Sequence, residues 1–208
     1  MDLLGRMGRC QLRGLPHGRF AWACRLLEGV RRCYEVLHGT GDLVSSCDNS
    51  FFAPAAQREE RTNRWWPHVD QNVHDCRVFD EDGRGPGEWE VFQGLLYIWS
   101  AEAAHASTTA LLPGSHRDAF DELMADAGMA EQGRKGCHFS ALGAVQNPAL
   151  SAALNERWLA GACRVPVPSG ALLLWNSRTL HQGWSGGPRL AQPVCWEPTT
   201  RRDAASLE

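Results

Sequence analysis

Apolar and polar residues follow two different periods along this chain. Residues 20–37 set Trp22, Leu26, Leu27, Val30, Val36 and Leu37 at helical spacing, and Gly39-Thr40-Gly41 ends the run, so the pattern predicts a supporting helix. Residues 42–52 read as a strand, and the polar run 57–64 as a loop that lands on Trp65 and Trp66 and is placed to act as a lid. From Glu88 onward Trp89, Val91, Gln93, Leu95, Tyr97 and Trp99 share one parity while Phe92, Leu96 and Ile98 share the other. That predicts a long central strand covered on both faces. Further strands are predicted over 107–112, 163–167, 171–175 and 190–196, with turns at Pro113-Gly114-Ser115-His116 and Pro168-Ser169-Gly170. Between them, 118–130 and 149–159 read as helices, the first carrying Asp118, Asp121 and Glu122 near its start, where negative charge is favourable.

Composition narrows the class without naming a function. At 208 residues, with 43% hydrophobic and 22% charged side chains, the chain has the make-up of one globular domain with a real core. A net charge of −3 creates no field that would gather nucleic acid or an anionic membrane, so a small molecule is the expected partner. The eight cysteines are scattered with no Cys-x-x-Cys pair, which reads as buried, reduced thiols in an intracellular, cytoplasmic protein. No secretory segment and no run long enough to span a bilayer is visible. Seven arginines against two acids in the first 33 residues read as a basic amphipathic helix in preference to a transit segment.

Two short stretches carry chemistry. In Trp65-Trp66-Pro67-His68-Val69-Asp70-Gln71 the histidine and the aspartate are two residues apart, so on an extended strand end their side chains leave the same face. The second stretch, Gly170 through Arg189, offers a glycine turn, an apolar strand, a polar turn that delivers His181, and a strand-like run that begins with Arg189. Two neutral imidazoles and one carboxylate suit Fe(II), because they cancel only one of its charges and leave three positions open. Arg189 is a planar, permanently charged partner for the far carboxylate of a bidentate 2-oxo acid. His-x-Asp alone is a weak signal; the joint pattern is far more specific. His116 reads as part of a structural turn, and His74, four residues after Asp70, suits a helix-borne metal pair and not this strand. Trp175, Arg178, Gln182 and Trp184 flank the distal histidine, mainly as packing, and Asn49 and Asn72 are weaker site candidates of the same sort.

The chain resembles the phytanoyl-CoA dioxygenase-like family of Fe(II)/2-oxoglutarate oxygenases through "WWPHVDQN", "VFQGLLYIWSAE", "TTALLPGSH", "GALLLWNSRTLHQG" and "RLAQPVCWEP", in that order, over about residues 14–198. The resemblance implies a mainly β fold with packed helices, a double-stranded β-helix or cupin-like jelly roll. One domain would fill residues 1–208, with helical support at 14–39 and a helical insert at about 117–160. It implies His68, Asp70 and His181 as metal ligands and Arg189 as the residue that binds the C5 carboxylate of 2-oxoglutarate. Gln93, Tyr97 and Trp99 are placed to line the barrel from the central strand, and Gln93 and Tyr97 are further candidates for contact with the co-substrate. The insert is expected to cover the mouth of the site and contribute to substrate selection.

The reaction so implied consumes dioxygen and 2-oxoglutarate, releases succinate and carbon dioxide, and oxidises a small organic molecule, with hydroxylation as the default outcome and ascorbate as reductant in vitro. The intact Asp70 argues against halogenation. The alternative is a jelly-roll protein of the cupin type that binds a metal or ligand without turnover, since a fold does not fix a function. Arg189 discriminates, because a bare metal-binding barrel has no use for a guanidinium there.

Overall fold

The computed structural model describes residues 9–10, 15–53, 66–75 and 89–201. Along the chain run β1 (Arg9–Cys10), α1 (Arg19–Arg25), α2 (Glu28–His38), β2 (Leu43–Ser45), β3 (Ser50–Ala53), β4 (His68–Val69), β5 (Phe92–Tyr97) and β6 (Thr108–Leu111). Then follow α3 (Ser115–Asp118), α4 (Phe120–Met124), α5 (Ala127–Arg134), β7 (Ser140–Ala141), α6 (Pro148–Gly161), β8 (Cys163–Arg164), β9 (Leu172–Asn176), β10 (His181–Trp184), β11 (Arg189–Pro193) and β12 (Trp196–Pro198). The loop expected over 57–64, with Trp65, lies outside the described residues.

The sheet orders are β1-β3-β11-β5-β9 and β7-β4-β10-β6-β8, with β2 and β12 forming a small ribbon. Antiparallel pairing joins β3 with β11, β4 with β10, β5 with β9 and β6 with β8. These eight strands therefore pair first with last and inward to the middle, while the chain passes between the two sheets. A long antiparallel hairpin wound in this way is a double-stranded β-helix, the jelly-roll form of sandwich.

Alternation along β5 explains why two layers of helix and sheet can share one strand. Leu95 and Tyr97 point between the sheets, into a cluster with Ala101, Ala106, Val167 and Ala191. Leu96 points the other way and packs with Cys24, Val30, Tyr34, Val194 and Trp196, so α1 and α2 cover the outer face of this sheet. The second sheet does the same: Val69, Ala110, Leu112 and Leu180 turn outward onto Phe120, Leu123, Met129, Leu154 and Trp158. The helices between β6 and β8 thus form the outer wall of that sheet.

Several elements differ from the sequence pattern for identifiable reasons. The helix expected over 20–37 is two helices, because Leu27 is extended at φ −60° and ψ 120° before α2. Leu26 and Leu27 end up exposed at this break, and the fully buried Arg25 donates inward to the Pro16 and Asp48 carbonyls at 2.6 and 2.9 Å. The strand expected over 42–52 is also divided: β2 pairs with β12 and β3 with β11. A short hydrogen bond from Ser46 to the Asp48 carboxylate lies in the bend between them. The helix expected over 118–130 is three short helices, and the last starts where Asp126 caps the Gly128 amide. Of the expected helices, α6 comes nearest its span, with Asn147 capping and Pro148 at the first position, and among the strands β6 and β9 match theirs to within a residue at each end.

Gly94 marks the closest approach of helix to sheet. Tyr34 Oη donates to the Val194 carbonyl at 2.5 Å directly across Gly94, and a Cβ on Gly94 would collide with Tyr34 Oη and lie 2.7 Å from Val194 O. Both neighbours are held by the core, so neither can yield cheaply. Gly94→Ala is expected to lower stability by about 1–3 kcal/mol, whereas Gly143→Ala, whose Cβ would meet nothing within 4 Å, should leave it nearly unchanged. Chemical denaturation of the two variants side by side measures the difference.

Candidate metal centre

His68 and His181 are direct cross-strand partners in the β4–β10 pair. In an antiparallel pair, residues in register share a face, so both imidazoles point between the sheets, with ring centroids 4.2 Å apart. Asp70 leaves the end of β4 on the same side. Its Oδ1 lies 3.6 Å from His68 Nε2 and its Oδ2 lies 3.4 Å from His181 Nε2. One candidate ligand atom from each of the three falls within 4.8 Å of the others.

Backbone atoms fix which nitrogen of each ring faces inward. His68 Nδ1 is 3.0 Å from the Trp66 carbonyl, and His181 Nδ1 is 2.9 Å from the Thr179 carbonyl. A carbonyl can only accept, so in each ring Nδ1 carries the proton and Nε2 keeps the lone pair. Both lone pairs therefore belong to the nitrogens that face Asp70. This is the arrangement metal-binding histidines use, with the far N–H tied to a carbonyl. Burial pushes the Asp70 carboxyl upward, but once each metal-free ring takes up a second proton, on Nε2, the His181 hydrogen bond and the charges of the two imidazolium rings, together with the Gln93 amide, outweigh it and hold the group well below the usual carboxylate range.

The two halves of the site are tied to each other by more than the register pair. Asp70 N donates to Ser177 O at 3.1 Å, Ser177 Oγ donates to Gln71 Oε1 at 2.7 Å, and Gln71 Nε2 donates to Trp89 O at 2.9 Å. Ser115, in the Pro-Gly-Ser-His turn, donates to Leu112 O at 2.7 Å and accepts from Leu180 N at 2.9 Å, which pins the residue next to His181. Gly114 at φ 82° makes that turn possible. His116 thus lies in a turn whose working member is its neighbour Ser115. His74 Nε2 donates to the Met124 carbonyl, 2.8 Å away on α4. Asn72, fully buried, donates to Met129 O and Ser140 Oγ and accepts from His74 N, so it braces α5 and β7.

Aromatic rings wall the imidazoles. Trp66 stacks on His68 at 4.5 Å, Phe139 lies 4.5 Å from the same ring on its way into β7, and Trp175 lies 5.3 Å from His181. Phe139 is the insert's contact with the ligand set, and nothing in its own surroundings in the sequence singles it out. The β4–β7 pairing places it there.

Gln93 and Tyr97 share the inward parity of β5. Gln93 Nε2 donates to Asp70 Oδ2 at 2.6 Å, and its Oε1 accepts from Trp175 Nε1 at 2.8 Å, so its amide is committed to the Asp70 carboxylate. Tyr97 Oη accepts from Arg189 Nη2 at 3.0 Å and lies 3.1 Å from Thr108 Oγ1, which itself donates to Val165 O at 2.7 Å. The Arg189 guanidinium also sits over the Phe51 and Tyr97 rings, at 4.7 and 5.3 Å. Arg189 is thereby oriented at the start of β11, on the Tyr97 end of β5, while the imidazole–carboxylate cluster occupies the Gln93 end. Four residues of strand, about 13 Å, separate the two ends.

Six cysteines among the described residues, Cys24, Cys33, Cys47, Cys137, Cys163 and Cys195, are free thiols. No helix among the described residues is long and apolar enough to cross a membrane.

No family model matches the chain, and no curated protein matches it. Among solved structures it is similar to apo EctD from S. alaskensis, at 14% identity over 89% of this chain and 56% of that one, with a TM-score of 0.49. EctD with 2-oxoglutarate and 5-hydroxyectoine matches at 15% identity over 83% and 50%, with a TM-score of 0.48. Apo HygX from Streptomyces hygroscopicus matches at 15% identity over 89% and 70%, with a TM-score of 0.46. The chain spans about half the length of EctD. Likeness of this degree assigns it neither a family nor a reaction.

Metal binding should register as stabilisation, because an ion that binds only the folded state raises the unfolding temperature. Added Mn(II) is expected to raise that temperature for the wild-type chain and for His74→Ala, and to leave His68→Ala and His181→Ala unmoved. Differential scanning calorimetry with and without the ion reads this directly.

Proposed function

We propose that this protein is a non-haem Fe(II)- and 2-oxoglutarate-dependent dioxygenase that oxidises a small organic molecule, with hydroxylation as the usual outcome. The observation that carries the reading is the convergence of His68 Nε2, His181 Nε2 and the Asp70 carboxylate at one end of a jelly roll that holds an oriented arginine at the other. The donor set fits the ion: two neutral nitrogens and one carboxylate oxygen, the latter already anionic, leave coordination positions for co-substrate and dioxygen. Zinc structural sites, by contrast, close themselves with four protein ligands.

Each residue then has a definite task. His68, Asp70 and His181 would hold Fe(II), which when bound supplies dioxygen activation coupled to decarboxylation of 2-oxoglutarate to succinate and carbon dioxide. Arg189, aligned by Tyr97 and seated against the Phe51 ring, would take the C5 carboxylate of the co-substrate; a guanidinium matches that group with two parallel donors. Trp66, Phe139 and Trp175 line the imidazoles with apolar surface and so exclude water from the ligand set. The net charge of −3 favours a small-molecule substrate over nucleic acid.

Succinate release from 2-oxoglutarate under air, with Fe(II) and ascorbate, is the deciding assay. Wild-type chain should show slow turnover even without its own substrate. His68→Ala should abolish it, and Arg189→Ala should raise the 2-oxoglutarate concentration needed by about 10-fold or more, the loss expected when a charge-assisted bidentate contact of about 1.5–3 kcal/mol is removed. Failure of the wild-type chain to bind either Fe(II) or 2-oxoglutarate would overturn the oxygenase reading in favour of a degenerate, non-catalytic jelly roll.

A further inference from the structure

Trp175 and Gln93 are register partners on β9 and β5, so their side chains stand side by side on the inward face. We propose that Trp175 is a positioning residue for the metal site: its indole N–H fixes the polarity of the Gln93 amide, which in turn holds Asp70 Oδ2 and leaves Oδ1 as the oxygen that meets the metal. The proposal rests on the reading that His68, Asp70 and His181 hold a divalent ion.

An indole N–H can only donate, and a glutamine amide has one end of each kind. Trp175 Nε1 lies 2.8 Å from one end of Gln93, which must therefore be the carbonyl oxygen. The amide NH2 is then forced toward Asp70 Oδ2, 2.6 Å away, where a carboxylate can only accept. Indole and carboxylate demand the same orientation, and the indole adds a second anchor that holds the amide in place against Asp70; a flipped Gln93 would present its NH2 to the indole N–H and its carbonyl to a carboxylate. The chain Trp175 to Gln93 to Asp70 therefore runs in one direction only.

Its consequence lies in how the carboxylate can bind. A short hydrogen bond takes one of the two acceptor sites of Oδ2, which also lies 3.4 Å from His181 Nε2, and draws charge from that oxygen, so Oδ1, which faces His68 Nε2, is the better donor to a metal. One-oxygen binding keeps three coordination positions open, whereas a carboxylate that binds through both oxygens would take a fourth. The same tryptophan also lies against the His181 ring, at 5.3 Å and 55°. Trp175 thus acts on two of the three ligands, one by ring contact and one through the amide.

Trp175→Phe separates these roles, since it keeps a ring beside His181 and removes only the N–H. Co(II) titration of the metal-free protein, followed by calorimetry and by visible absorption, reads metal affinity and coordination without any turnover. Both Trp175→Phe and Gln93→Leu are expected to weaken Co(II) binding by about 10- to 100-fold and to change the visible bands. The double variant should lose no more than the worse single one, because the two residues act in series. Far-ultraviolet circular dichroism of the metal-free variants reports whether each is folded; if Trp175→Phe is not, Gln93→Leu alone decides. Wild-type affinity and spectrum retained in the folded variants would overturn the relay while leaving the metal site intact. A wild-type chain that binds no Co(II) would overturn both.

Discussion

The pairing of His68 with His181 is what the rest of the site depends on. Strand β4 is only two residues long and gains little from its own ladder, yet it must hold the first histidine still. It does so because it lies between β7 and β10 and is continued by backbone and side-chain bonds: Asp70 N to Ser177 O, Ser177 Oγ to Gln71, and Gln71 to Trp89 O. A one-residue slip in the β4–β10 register would turn His68 outward and put Val69 inside. The helical wall forbids this, since Val69 is fully buried against the cluster built around Phe120, Leu123 and Met129. Packing outside the sheet thus fixes chemistry inside it.

Two directed hydrogen-bond chains run from opposite ends of the inward face of β5. One goes from Trp175 through Gln93 to Asp70, the other from Arg189 through Tyr97 to Thr108 and on to the Val165 carbonyl. Each begins at a group that can only donate and ends at one that can only accept, so neither can reverse. In an interior where an unsatisfied polar group is costly, such chains lock side chains more firmly than packing alone. Leu95 sits between them on the same face, which keeps the middle of the strand apolar. The imidazole–carboxylate cluster and the guanidinium are thereby built at two ends of one strand without facing each other's charge directly.

The segment between β6 and β8 braces the outer face of the site. Its helices cover the outer face of the sheet that carries both histidines, and its short strand β7 extends that sheet beside β4. Asp126, which accepts from the Gly128, Gln146 and Asn147 amides, gathers the segment into one unit. The buried environment raises the Asp126 carboxyl, but these amides outweigh it and hold it low, as expected for a carboxylate surrounded by N–H donors.

By itself, the sequence determined the alternation that makes β5 an inward-and-outward strand, the shared face of His68 and Asp70, and the spacing that gathers apolar strands around turns at Pro113 and Pro168. Those features follow from local periodicity, which a chain carries wherever it folds. Tertiary structure alone decided the break at Leu27, the division of 42–52 between two sheets, and the division of 118–130 into three helices, because each depends on partners distant in sequence. It also decided strand β10. His181-Gln182-Gly183-Trp184 has neither an apolar alternation nor β-branched residues, and it is a strand because β4 and β6 flank it on both sides. The same holds for the groups that orient the ligands. The Trp66 and Thr179 carbonyls are backbone atoms with no signature in a sequence, Phe139 comes from an insert, and the polarity of Gln93 is set by an indole that only the β5–β9 register brings beside it.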